Sequence, residues 1–282
     1  MHPGAMNADA YANKTGAEIR ALCRGGAFDR PTAGVALGYT QVNLVILRAE
    51  ASEEFEAFCR ANPKPCPLLE RTAPGRYEPR SMAPHADVRT DLPRYRVLQH
   101  GRCVERPTSI PTYWLNATRS RASDFVAFLI GCSFTFETAL LKAGVPVRHI
   151  EQGTNVPMYR TNIACTPAGR FRGPLVVSMR PMTPAEAELA TRITAAFPRV
   201  HGAPIHLGDP SAIGIADLTR PDYGDAVTLR RGEIPVFWAC GVTPMEAIIR
   251  AKLDIAITHE PGHMLVTDVT DESLRGGAGA KA

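Results

Sequence analysis

The sequence predicts an α/β protein: a mainly parallel layered sheet with helices on both faces, carrying a small inserted α+β domain. Three observations point there. A strand, a tight turn and a helix follow one another twice, at 124–144 and again from "IPVFWACG" through "TPMEAIIRA". The two copies echo each other. With Cys132 set on Cys240, Thr135 meets Thr243, Ala139 meets Ala247, Leu140-Leu141 meet Ile248-Ile249, Lys142 meets Arg250 and Glu151 meets His259. Between about 147 and 200 the texture changes to several short strand-like runs and one helix, a small α+β layer. The expected division is therefore a discontinuous core of 1–144 and 204–282, with 145–203 inserted.

The elements follow in order. "TGAEIRALCRG" (15–25) reads as a helix with Thr15 as N-cap, Glu18 at the third position and Gly25-Gly26 ending it. "QVNLVILR" (41–48) is a strand and "SEEFEAFCRAN" (52–62) a helix capped by Ser52. Prolines crowd 63–95, which predicts a long ordered surface loop. "YRVLQHGRCVER" (95–106) suggests a hairpin around His100-Gly101. "DFVAFLI" (124–130) is a strand, followed by a helix ending at Gly144. "VRHIE", "TNIAC" and "GPLVVSM" read as strands, and Thr183-Pro184-Ala185-Glu186 opens a helix over 184–197. "APIHLGDP", "IPVFWACG" and "LDIAIT" return to strands ending in loops.

A chain of 282 residues, 45% apolar and 21% charged, can bury a full core. Its net charge of +4 is spread out, with no Lys/Arg cluster to track a nucleic acid. Seven scattered cysteines with no C-x-x-C pair argue against a disulfide framework and for a reducing cytoplasm. No segment approaches the length of a membrane span, and the N-terminus lacks a signal pattern. The expected partner is a small acidic molecule rather than nucleic acid or membrane, with a homodimer left open.

His259-Glu260-Pro261-Gly262-His263 matches H-E-x-x-H, the zinc-protease pattern. That chemistry needs both imidazoles on one helix face, and Pro-Gly between them is the worst pair for a helix interior. A strand running into a turn is expected instead, with no metal and no other cofactor.

The turn Gly131-Cys132-Ser133 sits where a strand meets a helix N-terminus, which favours anions and lowers a cysteine's pKa. Cys132 is then either a nucleophile or a buried small residue, with Ser133 beside it in an anion cradle. Cys240-Gly241-Val242-Thr243 is the matching cradle, offering Gly241 and Thr243. In "EQGTNVPMYRTN" (151–162), Glu151, Asn155, Arg160 and Asn162 concentrate the groups that would hold an amino acid's charged ends. His206 and Asp209 mark another strand end, and His259 and His263 a further one.

Nine blocks carry a resemblance: "GYTQVNLVIL", "NPKPCPLL", "RTDLPRYRV", "FLIGCSFTFETALL", "VRHIEQGTNVPMYRTN", "GPLVVSMRPM", "HGAPIHLGDP", "VFWACGVTP" and "THEPGHMLVTD". Over roughly 15–270 the chain resembles the putative hydro-lyase family, which also contains the mitochondrial D-glutamate cyclase domain. The resemblance implies an α/β fold with a second, smaller domain and no established metal. It also implies loss of water from a small carboxylate substrate, in the leading case cyclisation of D-glutamate to 5-oxo-D-proline. The residues then suggest Glu151 or His259 as base and His206, Asp209 or His263 as acid. The two cysteine turns would donate to the oxyanion and Arg160 would clamp the α-carboxylate. A β-elimination hydro-lyase acting on a hydroxy acid and a non-catalytic carboxylate-binding protein are the alternatives.

Overall fold

The computed structural model describes residues 8–115 and 124–276. In chain order the elements are α1 (Ala8–Ala12), α2 (Gly16–Arg24), β1 (Tyr39–Arg48), α3 (Ala49–Ala61), β2 (Leu68–Arg71), β3 (Tyr95–Gln99), β4 (Arg102–Glu105) and α4 (Pro111–Leu115). After them come β5 (Phe125–Gly131), α5 (Phe134–Lys142), α6 (Arg148–Gln152), β6 (Met158–Ala164), β7 (Pro174–Met182) and α7 (Pro184–Ala195). The chain finishes with β8 (His206–Leu207), β9 (Ile234–Ala239), α8 (Thr243–Ala251), β10 (Ala256–His259) and β11 (Leu265–Thr270).

These strands build two sheets. The larger runs β2-β5-β1-β10-β3-β4, with β11 also on β1, and the smaller runs β6-β7-β9-β8. Every pairing between them is antiparallel. The parallel layered core expected from the sequence is thus corrected. A strand–turn–helix unit fixes where the chain turns, not which strand lies beside it, and here β5 and β9 enter different sheets. Both are buried along nearly their whole length. One face of the large sheet packs on α3, α8 and the small sheet through Phe55, Phe128, Val177 and Phe237. The other is covered by the 82–114 segment through Met82, Leu92 and Trp114. Helices α5 and α7 close the far side of the small sheet on Trp238.

Local chemistry accounts for the elements that match. Thr15 and Thr183 each close a capping box, with Glu18 and Glu186 respectively. The hairpin turns at His100 and Gly101, both with positive φ. Other elements differ. Ser52 lies inside α3 and donates to Ala49 O, so the helix starts three residues earlier than the Ser52 cap implied. The proline-rich loop contains β2, and "VRHIE" is helix α6 rather than a strand. The small sheet draws on residues 158–239, so β8 and β9 join it from beyond the boundary placed at 203. All seven cysteines are free thiols, and no helix of the described residues is long and apolar enough to cross a membrane.

Candidate functional site

The two cysteine turns meet between the sheets. Cys132, Phe134, Cys240, Val242 and Met245 share one buried cluster. The echo between the copies is physical at Thr135 and Thr243. Gln41 N donates to Thr135 Oγ1 at 3.2 Å, and Val176 N donates to Thr243 Oγ1 at 3.0 Å. Each first-turn hydroxyl therefore ties its helix to the backbone of the strand next to its own. Each turn also faces the opposite sheet. Gly241 presses on the Asn43 amide of β1, where a Cβ would lie 2.0 Å from Nδ2, and Ser133 meets Arg180 of β7 at 3.1 Å. The two copies lie in different sheets and continue differently. After α5 comes helix α6, and after α8 comes strand β10.

Beside the first turn lies a buried charged cluster. Glu137 on α5, His149 on α6 and Arg180 on β7 are each at most 1% exposed. Arg180 Nε donates to Glu137 Oε1 at 3.0 Å, and its Nη2 also reaches that oxygen. Ser178 and Ser133 hydroxyls take its remaining directions, and the guanidinium lies 5.3 Å from the ring centroids of both Phe136 and Trp238. His149 Nε2 is 3.2 Å from Glu137 Oε1, an ion-pair contact off the hydrogen-bond direction. Burial alone would push the Glu137 carboxyl up. The His149 and Arg180 charges overcome it and hold the group below its ordinary value. Buried charges in a cluster are no route to stability. Next to a cavity they make the place a candidate site for chemistry.

That cavity exists. A half-open cavity of about 310 Å³ is lined by Arg30, Ala33, His149, Thr154, Asn155 and Asp225 among others, a volume for a small ligand. His149 bridges it to the buried carboxylate. With Nε2 facing Glu137, Nδ1 is the ring nitrogen not engaged by that carboxylate. Arg30, lying 4.7 Å from the Tyr11 ring centroid and 5.2 Å from that of Phe28, brings a cation to the wall. Larger depressions along Glu70–Arg80, at the β3–β4 hairpin and beside β6 have no buried carboxylate–imidazole pair at their walls.

The residues singled out from the sequence are dispersed around this centre. Asn155 lines the cavity and Ser133 bonds Arg180. Glu151, two residues past His149, turns to Arg148 at 3.0 Å and Arg230 at 4.0 Å. Burial pushes the Cys132 thiol well up, and that of Cys240 to about 11. Arg160 is held by Glu246 at 2.8 Å, Asp222 at 2.5 Å and Tyr223 at 2.9 Å, while Asn162 is exposed along β6. Asp209 caps Ser211, and His206 Nε2 lies 2.7 Å from Asp209 O.

His259 ends β10 where β1 changes partner to β11, and its Nδ1 is 3.2 Å from both Leu44 N and O. Burial lowers its pKa to about 4, and lowers that of His263 as well. The H-E-P-G-H segment is a strand end and a turn, with Gly262 at φ +82°, not a helix. No group of three or more His, Cys, Asp or Glu among the described residues is placed to hold a metal ion.

Three residues of the centre were missed: Glu137, His149 and Arg180. A signal was present, since Glu137 and Arg180 are charges inside otherwise apolar runs, "FTFETALL" and "PLVVSMRPM". Such charges are rarely buried without a partner.

The profile of a family described as D-glutamate cyclase matches residues 126–268, a span holding Glu137, His149, Arg180 and Asp225. A protein of Stutzerimonas stutzeri bearing the name "Putative hydro-lyase" is 55% identical over 269 residues, 95% of this chain and 99% of its own. Namesakes from Bacillus licheniformis and Bacillus subtilis are 54% and 53% identical, covering 97% and 91% of this chain and 99% and 97% of theirs. Among solved structures, a nitrogen repressor-like protein of Methanococcus jannaschii covers 90% of this chain and 98% of its own. At TM-score 0.37 and 10% identity, that likeness carries no argument.

Proposed function

The chain belongs to the D-glutamate cyclase family, and from that premise we propose that it removes water from a small acidic amino acid, with ring closure of D-glutamate to 5-oxo-D-proline as the reaction. The observation that carries this reading is His149, which joins the buried Glu137–Arg180 pair to a cavity bearing Arg30.

Forming the lactam moves two protons from the ammonium nitrogen to the departing γ-carboxylate oxygen, which leaves as water. His149 Nδ1 takes the first proton and frees the nitrogen lone pair to attack the γ-carbon. The resulting imidazolium returns the proton to the oxygen as the C–O bond breaks, and the second N–H proton follows the same route. Glu137 stabilises the imidazolium between the two transfers. Arg180 acts through Glu137 by keeping it ionised, so it is a positioning residue. Arg30 takes the α-carboxylate and holds the chain bent, which supplies the effective concentration of ring closure.

The base thus passes from Glu151 to His149, and the clamp from Arg160 to Arg30, because His149 and Arg30 line the cavity and the first candidates do not. The test is incubation of purified protein with D- and L-amino acids and hydroxy acids, read by mass spectrometry for loss of water. 5-Oxo-D-proline from D-glutamate is the expected product. Dehydration of a hydroxy acid alone, or binding without turnover, would replace the reading by one of its alternatives.

A further inference from the structure

We infer that Asp225 is the residue that makes this cavity select an ammonium-bearing substrate, an inference that rests on the cavity being the substrate site. Asp225 shares the cavity wall with His149 and Arg30, so the small volume carries one fixed anion, one fixed cation and the acid–base group. An amino acid's head presents the complementary pair of charges.

The carboxylate is built into place. Asn155 N donates to Asp225 Oδ2 at 2.9 Å, and Asp225 N donates to Asn155 O at 3.2 Å. Three residues after Asn155 and two before Asp225, Met158 and Tyr223 exchange the next pair of backbone bonds at 2.9 and 3.2 Å. Gly224 permits this approach. It has φ +72°, and a Cβ there would lie 1.9 Å from Val156 O.

The part of the lining that carries Arg30 is tied to the same point by the segment whose histidine spacing imitates a zinc protease. Asn155 Nδ2 donates to Pro261 O at 3.1 Å. Thr32, two residues from Arg30, donates its N–H to Gly262 O at 2.8 Å and its hydroxyl to the same oxygen at 3.1 Å. Pro261-Gly262 therefore sets the span between the Arg30 wall and the Asp225 wall, which accounts for a Pro-Gly turn where a helix would be needed for metal.

Selection follows from charge. A dicarboxylate brought in without an amine would face Asp225 uncompensated, and a hydroxy acid would offer it no cation. Discrimination of this kind works as much by repelling the wrong ligand as by holding the right one.

The experiment uses Asp225→Asn, which keeps an oxygen to accept the Asn155 N–H. KM for D-glutamate is measured beside the inhibition constant of glutarate, the same skeleton without the amine. The expected result is a KM raised about tenfold or more, the loss of a charge-assisted contact, with glutarate binding unchanged or tighter. An unchanged KM, or equal weakening of both ligands, overturns the inference. Calorimetric binding of the two ligands reads the same contrast without turnover, so failure of the proposed reaction stays distinguishable from failure of this assignment. Wild-type protein that binds D-glutamate no better than glutarate also overturns it.

Discussion

Glu137→Gln removes one charge from the buried cluster while keeping the side chain's size and one acceptor. Arg180, fully buried, then has no anion in contact, since its other partners are the Ser133 and Ser178 hydroxyls and two aromatic rings. Breaking a buried pair by deleting one partner costs about 3–5 kcal/mol. Since about 1 kcal/mol moves Tm by roughly 2–4 °C in chains near this size, the melting temperature should fall by roughly 6–20 °C.

The pH dependence has a definite sign. The Glu137 carboxyl is pushed up by burial, but drawn down further by His149 and then Arg180, so its folded value lies below the ordinary 4.5. Its ionisation therefore contributes stability that is fully present above that ordinary value and is lost as pH falls through the lower folded value. Thermal unfolding followed by circular dichroism should show the largest wild-type advantage near neutral pH, with the gap narrowing in acid. A variant melting within about 2 °C of wild type at neutral pH would refute the reasoning, because the cluster would then not hold an otherwise uncompensated buried charge.

Three further outcomes are expected. Cys132→Ala should keep turnover within several-fold, and iodoacetamide at neutral pH should leave the wild type active, since burial keeps that thiol protonated; loss of activity in a folded Cys132→Ala protein contradicts this. Gly262→Ala should lower Tm and weaken substrate binding together, because φ is +82° and the new Cβ would lie 2.3 Å from Asn155 Oδ1; wild-type Tm and KM would argue against the buttressing role. His201 and His259, both lowered to about 4 chiefly by burial, bind protons more readily unfolded. They should make stability fall as pH drops from about 6.5 towards 4, and melting curves of the His201→Asn/His259→Asn protein should show a flatter slope there; an unaltered slope counts against it.

The sequence made local chemistry legible wherever one short stretch determines the outcome. The Thr15 and Thr183 caps, the His100-Gly101 hairpin and the broken helix at Pro261-Gly262 are of this kind. Strand direction was not legible, because β5 and β9 owe their neighbours to contacts distant in the sequence, Val45 with Phe128 and Val177 with Ala239 being two. Segment 148–152 misled because the β-branched Val147 and Ile150 suggest a short strand, although their spacing of three suits one helical turn. The site was half legible. Asn155 and Ser133 could be found as polar residues in turns, whereas Glu137, His149 and Arg180 come from three elements that only the folded chain brings together. Glu151 drew attention as a carboxylate at a predicted strand end. In the helix that forms instead, His149 is the residue that touches Glu137.

The most direct measurement is the rate of 5-oxo-D-proline formation by His149→Asn protein, followed by mass spectrometry beside D-glutamate binding by calorimetry. Removing a positioned general acid–base group should lower kcat by about 10²–10⁴-fold, while D-glutamate binding, carried by Arg30 and Asp225, changes little. A folded His149→Asn protein that forms 5-oxo-D-proline within several-fold of the wild-type rate would contradict the account.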